Sequence, residues 1–152
     1  MHTQLLPQTR VSRSLNAVAA GTTDQNGAGV DMQADGGYDG VTFIAAFGTL
    51  TATQVTQIKA QQSDDDGSTD DYTDLAGTLV GPLADGDSNK LLVLEIFRPT
   101  KRWVRCVVDR GTANAVIDGV VAIQHSPRTP PSSHDTTVKL AESHSSPAEG
   151  TA

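Results

Sequence analysis

Asp64, Asp65, Asp66, Gly67, Ser68, Thr69, Asp70 and Asp71 form the densest carboxylate run in the sequence. Calcium and similar hard cations are held by several carboxylate oxygens around a tight glycine turn, so the run has the composition of a cation loop. Its register does not match. With Gly67 in the sixth position, Asp64 and Asp66 take the third and fifth, but the first is Gln62 and the twelfth is Thr73, where a bidentate glutamate belongs. The expectation is a solvated acidic loop with at most irregular cation binding. His2, His125, His134 and His144 show no tight ligand spacing with cysteine or carboxylate, and three of them lie near the chain ends. No serine sits in a nucleophile-elbow sequence. Glu95, Asp109 and Asp118 are the acids left for hydrolytic chemistry, and nothing in their spacing pairs them as acid and base. The chain is therefore read as non-enzymatic, with no catalytic residues, no metal and no cofactor.

A second cluster is basic. Arg98, Lys101, Arg102, Arg105 and Arg110 place five of the eleven cationic residues within thirteen positions, on a chain whose net charge is -7. If residues 102–108 form a strand, Trp103, Arg105 and Val107 share one face and Arg102, Val104, Cys106 and Val108 the other. Arg105 can then stack on an aromatic or pair with a carboxylate at an interface. Arg98, Lys101, Arg102, Trp103, Arg105 and Arg110 are the candidate interface residues, with a plain solvated surface as the other reading. Nucleic acid is disfavoured, because one aromatic gives no stacking platform and the net charge repels a phosphate backbone. Cys106, the single cysteine, lies among valines, where a buried small hydrophobe is expected.

These groups must be positioned by strands. In residues 41–47, Val41, Phe43, Ala45 and Phe47 alternate with Thr42, Ile44 and Ala46, which suits a strand covered on both sides. Residues 49–62 read as a turn and then a strand through Ile58 and Ala60, because their threonines lower helix propensity. Strands are expected at residues 75–80, at 90–97, where the signal is strongest, at 103–109 after the break at Pro99, and at 116–124 with a bulge or close contact at Gly119. Residues 1–29 hold few apolar positions and read as an arm. Residues 10–20 are compatible with a short helix or with an extended segment that needs a partner surface. Residues 127–152, with Pro127, Pro130, Pro131 and Pro147 among many Ser and Thr, read as a disordered tail.

The expected organisation is an arm (1–29), an all-β domain with the pattern of a sandwich or small barrel (30–126), and a disordered tail (127–152). The length of 152 residues suits one such domain. A hydrophobic fraction of 37% with no long apolar run excludes a membrane-spanning helix, and residues 1–8 lack the pattern of a secretory signal. Synthesis in a cytoplasm is the expectation.

The string Arg98-Pro99-Thr100-Lys101-Arg102-Trp103-Val104-Arg105, continued through Val107, Val108, Asp109, Arg110, Thr112, Ala113, Asn114, Ala115, Ile117 and Asp118, carries a resemblance. Together with Asp39-Gly40-Val41-Thr42-Phe43, Gln61-Gln62-Ser63-Asp64-Asp65 and Asp74-Leu75-Ala76-Gly77-Thr78, it resembles small virion proteins encoded beside the major capsid protein in tailed bacteriophages and prophages. The likeness spans roughly residues 30–128. It implies a capsid decoration, or cement, protein: an antiparallel β-sandwich, jelly-roll-like, trimeric, and seated on the outer surface of the head at subunit junctions. The implied partner is the major capsid protein, with no nucleic acid, membrane or small-molecule substrate, and the implied host cell is bacterial. A tail, connector or fibre-base protein is the structural alternative, and a virion-associated polysaccharide hydrolase the enzymatic one.

Overall fold

The computed structural model describes residues 4–145 and 148–149, so His2 and Pro147 lie outside the described residues. The strands are β1 (Thr9–Leu15), β2 (Val18–Gly21), β3 (Gln25–Asn26), β4 (Val30–Asp31), β5 (Tyr38–Leu50), β6 (Val55–Ser63), β7 (Thr73–Asp74), β8 (Leu91–Phe97), β9 (Trp103–Gly111) and β10 (Ala115–Pro127). One antiparallel sheet has the order β1-β10-β5-β8 with β2 also on β10, and the other β3-β9-β6-β7 with β4 also on β9. Because β1 and β2 share one partner and β3 and β4 another, each pair acts as a single interrupted strand. Merging them gives the strand order 1-8-3-6 facing 2-7-4-5, the arrangement of a jelly roll. Among the described residues no helix is long and apolar enough to cross a membrane.

Alternation decides the core. Val41, Phe43, Ala45 and Phe47 of β5, Val120 and Ala122 of β10, Ile58 and Ala60 of β6, and Val104, Cys106 and Val108 of β9 all point between the sheets and are buried. A bulge is present at Gly119: the register of β10 on β5 shifts between Ile117 and Gly119, and Gly119 has φ 144. The 75–80 segment does not form its own strand. β7 ends just before it, and within the segment the backbone is tied to β6 by the Leu75 N-H on Ala60 O at 2.9 Å and by a single bridge between Val80 and Ile58.

The N-terminal expectation is corrected. Within residues 1–29, β1 pairs with β10 from Thr9↔His125 to Leu15↔Val120, and β3 pairs with β9. Segments too polar to order alone are held by ladder hydrogen bonds to strands about a hundred residues away, a relation that no local pattern encodes. The helical option for residues 10–20 is likewise replaced by strand.

The boundary of the tail also moves. Residues 132–138 lie along the free edge of β1, where Asp135 N-H donates to Val11 O at 3.1 Å. In return Val11 N-H donates to His134 Nδ1 at 3.2 Å and Arg13 N-H to Thr137 Oγ1 at 2.9 Å. Arg10 pairs with Asp135 at 3.1 Å. These bonds offset the cost of ordering a segment that has little apolar surface of its own. Residues 139–145 are exposed throughout. Asp135→Ala is expected to leave global stability within about 1 kcal/mol of the parent, while the Arg13 amide exchanges roughly tenfold faster as the strap loosens. Hydrogen exchange read residue by residue checks it.

Candidate interaction surface

The six candidate interface residues do not form one free basic patch. Arg110 has the parity of Val104, Cys106 and Val108, points inward and is 4% exposed. Its guanidinium donates to Thr23 O at 2.9 Å, Ala19 O at 3.1 Å and Ala115 O at 2.7 Å, and its backbone N-H donates to Asp24 Oδ1 at 2.9 Å. Burial lowers its pKa from the usual arginine value. Arg110 is therefore a clamp that fastens the β2–β3 connection to the sandwich, and it is removed from the interface set. Its inward parity was the signal in the sequence.

The others are placed round the acidic groups. Arg102 makes a bidentate pair with Asp31 at 2.8 and 2.7 Å and lies 5.6 Å from the Trp103 ring centroid. Lys101 meets Asp70 at 2.5 Å and Asp64 at 3.5 Å. Arg105 stacks over Tyr72 at 4.1 Å and donates to Gln61 Oε1 at 2.8 Å, so the expected aromatic partner is on this chain. Arg98 lies over the Phe97 ring at 5.2 Å and has no carboxylate partner among the described residues.

The acidic loop works as a turn and a counter-charge. Asp65 accepts the Thr69 hydroxyl and the N-H groups of Ser68, Thr69 and Asp70, which hold its pKa down to about 2. The Lys101 ammonium lowers that of Asp70, and Tyr72, raised by burial and then by Asp66, donates its hydroxyl to Asp66 at 2.6 Å. Among the described residues no cluster of histidine, cysteine and carboxylate suits a metal ion.

Hydrogen bonding to the Arg102 guanidinium also lowers the pKa of Asp31. A carboxylate whose folded pKa lies below its unfolded value stabilises the fold above the ordinary carboxylate range, and that contribution is lost as pH falls through the lowered folded value. With Arg102 nearly half exposed, Asp31→Asn is expected to cost less than about 1 kcal/mol at pH 7 and to flatten the acid limb of the stability profile. Urea melts between pH 2 and 7 check it.

Arg98, Lys101, Arg102 and Arg128 line a cleft of about 480 Å³ at one end of the sandwich, together with Asp39, which pairs with Arg128 at 3.0 Å. The cleft opens where β8 ends. The adjoining outer face of the β1-β10-β5-β8 sheet carries cross-strand rows of Val93, Ile44, Val121 and Arg13, and of Glu95, Thr42, Ile123 and Val11. Coverage on both sides of β5 was expected. Instead the side bearing Thr42, Ile44 and Ala46 is only half-buried, and on β8 Leu91, Val93 and Phe97 are 57%, 51% and 55% exposed. Gly40 has no Cβ because the His125 ring occupies that space, 2.2 Å from where a Cβ would lie. The ring stacks on Phe97 with 6.5 Å between centroids, and its Nε2 lies 2.8 Å from Glu95 Oε1. The apolar face was legible in the unbroken run Leu91 to Leu94, which has no polar alternate to turn towards water.

Glu95, Asp109 and Asp118 are not assembled into an acid-base pair. Glu95 and Asp118 belong to one sheet and Asp109 to the other, where it accepts from Gln57 at 2.8 Å. Cys106 is buried, and desolvation pushes its thiol up to about 12. Its labelling by a thiol reagent at pH 8 is expected only through unfolding, so the rate should rise steeply with urea. Labelling of the native protein at the speed of a free thiol would contradict the buried placement.

No family model matches the chain, and no curated protein matches it. Among solved structures, a xylan-binding module, CBM15, aligns with 85% of this chain and 97% of its own, at 15% identity and a TM-score of 0.36.

Proposed function

We propose that this chain is a non-enzymatic structural protein that decorates the head of a tailed bacteriophage. On this reading it sits as a trimer on the outer surface over junctions of the major capsid protein and stabilises the shell by protein contacts. The observation that carries it is the uncovered apolar face of the β1-β10-β5-β8 sheet, bordered by a cationic cleft on an otherwise acidic molecule. Exposed apolar area of this kind marks a surface that is covered in use, and the jelly roll supplies a rigid platform for it. The phage-like strings supply the rest of the reading. Many weak copies on one lattice reinforce one another, since each bound contact raises the effective concentration for the next.

The test is to add purified protein to expanded shells of the parent particle that lack it, then image them. Density on the outer head surface and a raised temperature of shell disruption are expected. Density at the tail, connector or fibre base would replace the decoration role with the structural alternative. Mass measurement in solution, expected at three copies, tests the trimer.

A further inference from the structure

The two edges of the β1-β10-β5-β8 sheet are treated differently. The β1 edge is closed by residues 132–138. At the β8 edge, Arg98 N-H donates to Asp39 O at 2.6 Å and Phe47 N-H to Lys90 O at 3.2 Å, so the even-numbered residues of β8 turn their backbone groups towards β5. Antiparallel geometry then aims the N-H and C=O groups of Leu91, Val93, Glu95 and Phe97 away from the sheet. Among the described residues none of these groups has a hydrogen-bond partner. Three of these residues, Leu91, Val93 and Phe97, bear exposed apolar side chains, the fourth is the carboxylate Glu95, and the inward-facing Leu92 and Ile96 are only half-buried. Soluble proteins blunt such edges with a bulge, proline or charged side chain, and within its span β8 has only Glu95, whose carboxylate lies 2.8 Å from His125 Nε2.

We infer that the β8 edge receives an extended segment of a partner polypeptide, with alternating apolar residues along β8 and carboxylates at its N-terminal end. An antiparallel strand on β8 places its N-terminus beside Phe97, where the chain enters the cleft of Arg98, Lys101, Arg102 and Arg128. Arg98 is the cation there without a carboxylate among the described residues, and it is the natural acceptor of that end. A second copy of this chain suits the site less. It carries the same net charge of -7, and its acidic loop already serves Lys101. Pairing β8 with itself about Leu94 would set Lys90 against Arg98. The inference rests on the proposed function only in taking the partner to be a protein.

The probe is a fluorescein-labelled peptide with two N-terminal aspartates followed by alternating valine and threonine, titrated with the full chain at low and high salt. Saturable binding is expected, weakened about tenfold or more by Val93→Pro, which removes an N-H the fold does not use, and by Arg98→Gly, which keeps the left-handed turn at φ 53. Leu79→Asp, exposed elsewhere, should bind as the parent does. Should Val93→Pro fail to fold, Val93→Asp sets a like charge against the acidic peptide on the same edge, where an incoming strand would have to desolvate it. No peptide binding, or binding indifferent to these changes, overturns the inference. So does a concentration-dependent dimer that Val93→Asp abolishes, since the occupant would then be a second copy. Parent protein that holds expanded shells while the edge variants hold them equally well overturns the inference and leaves the decoration reading standing. Peptide binding by a chain that never adheres to shells supports the edge and removes the decoration role.

Discussion

Arg110→Met is expected to destabilise the protein by about 3 kcal/mol and to lower the melting temperature by roughly 10 °C. The substitution keeps much of the side-chain volume, so the loss comes from unpaired polar groups more than from a cavity. Three carbonyls, of Thr23, Ala19 and Ala115, lose charge-assisted donors, and the last belongs to a fully buried residue. Gly21 lies so close that a Cβ there would be 3.3 Å from the Arg110 Nη2, which leaves little room for water to take over the carbonyls. Residues 18–26 should loosen first, because β2 and β3 are short and this clamp joins them to β9 and β10. Thermal melts give the size of the effect, and hydrogen exchange locates it. Lys at this position should not restore stability, since one ammonium cannot reach three carbonyls in the fork geometry of a guanidinium. An unchanged melting temperature in Arg110→Met would show that the position is an outward-facing arginine, open to the interface role expected of it from the sequence.

Gly27→Val should be comparably damaging, at about 3 kcal/mol, for a steric reason. Gly27 bridges β3 and β4 at the seam between the sheets: its N-H donates to Cys106 O at 2.8 Å, and the next N-H, of Ala28, donates to Ser14 O at 2.7 Å. A Cβ at Gly27 would lie 2.5 Å from Ser14 Oγ and 2.8 Å from Cys106 O. The hydroxyl can rotate away, but the carbonyl belongs to a central strand and cannot. Ser14→Ala placed in the same chain should therefore recover only part of the loss. Full recovery would mean that the backbone contact is slack. Urea melts of the single and double variants decide between these outcomes, and labelling of Cys106, whose carbonyl takes the clash, should accelerate in parallel.

Both positions lie at or beside the segment that local reasoning assigned to an arm. Arg10, Arg13 and the run from Gly21 to Gly29 look solvated because polarity, glycine content and the absence of apolar periodicity are all that a local window contains. What orders them lies far along the chain: Val11 pairs with Ile123, Gln25 with Val108, and Arg110 reaches Ala19 and Thr23. The same distance in sequence hid the neutralisation of the basic cluster. Arg102 is charged in any window, but its counter-ion Asp31 is 71 positions away.

The sequence by itself determined the face each central side chain would take. Alternation in Val41 to Phe47 and in Val104 to Val108 sorts core from surface because a strand turns successive residues to opposite sides, and that periodicity needs no knowledge of neighbours. It also determined the irregularity at Gly119, the burial of Cys106 and the all-β class, whereas the jelly-roll strand order came from the long-range pairing. Only the tertiary structure decided which faces are covered. Ile44, Leu91, Val93 and Phe97 lie on one face and are suited to a buried surface, yet no second layer lies over them, while β1, which is more polar, has its edge closed by residues 132–138. Coverage depends on which distant segments meet. Pattern assigns a residue to a side of a strand, and packing decides whether that side meets the core, water or a partner.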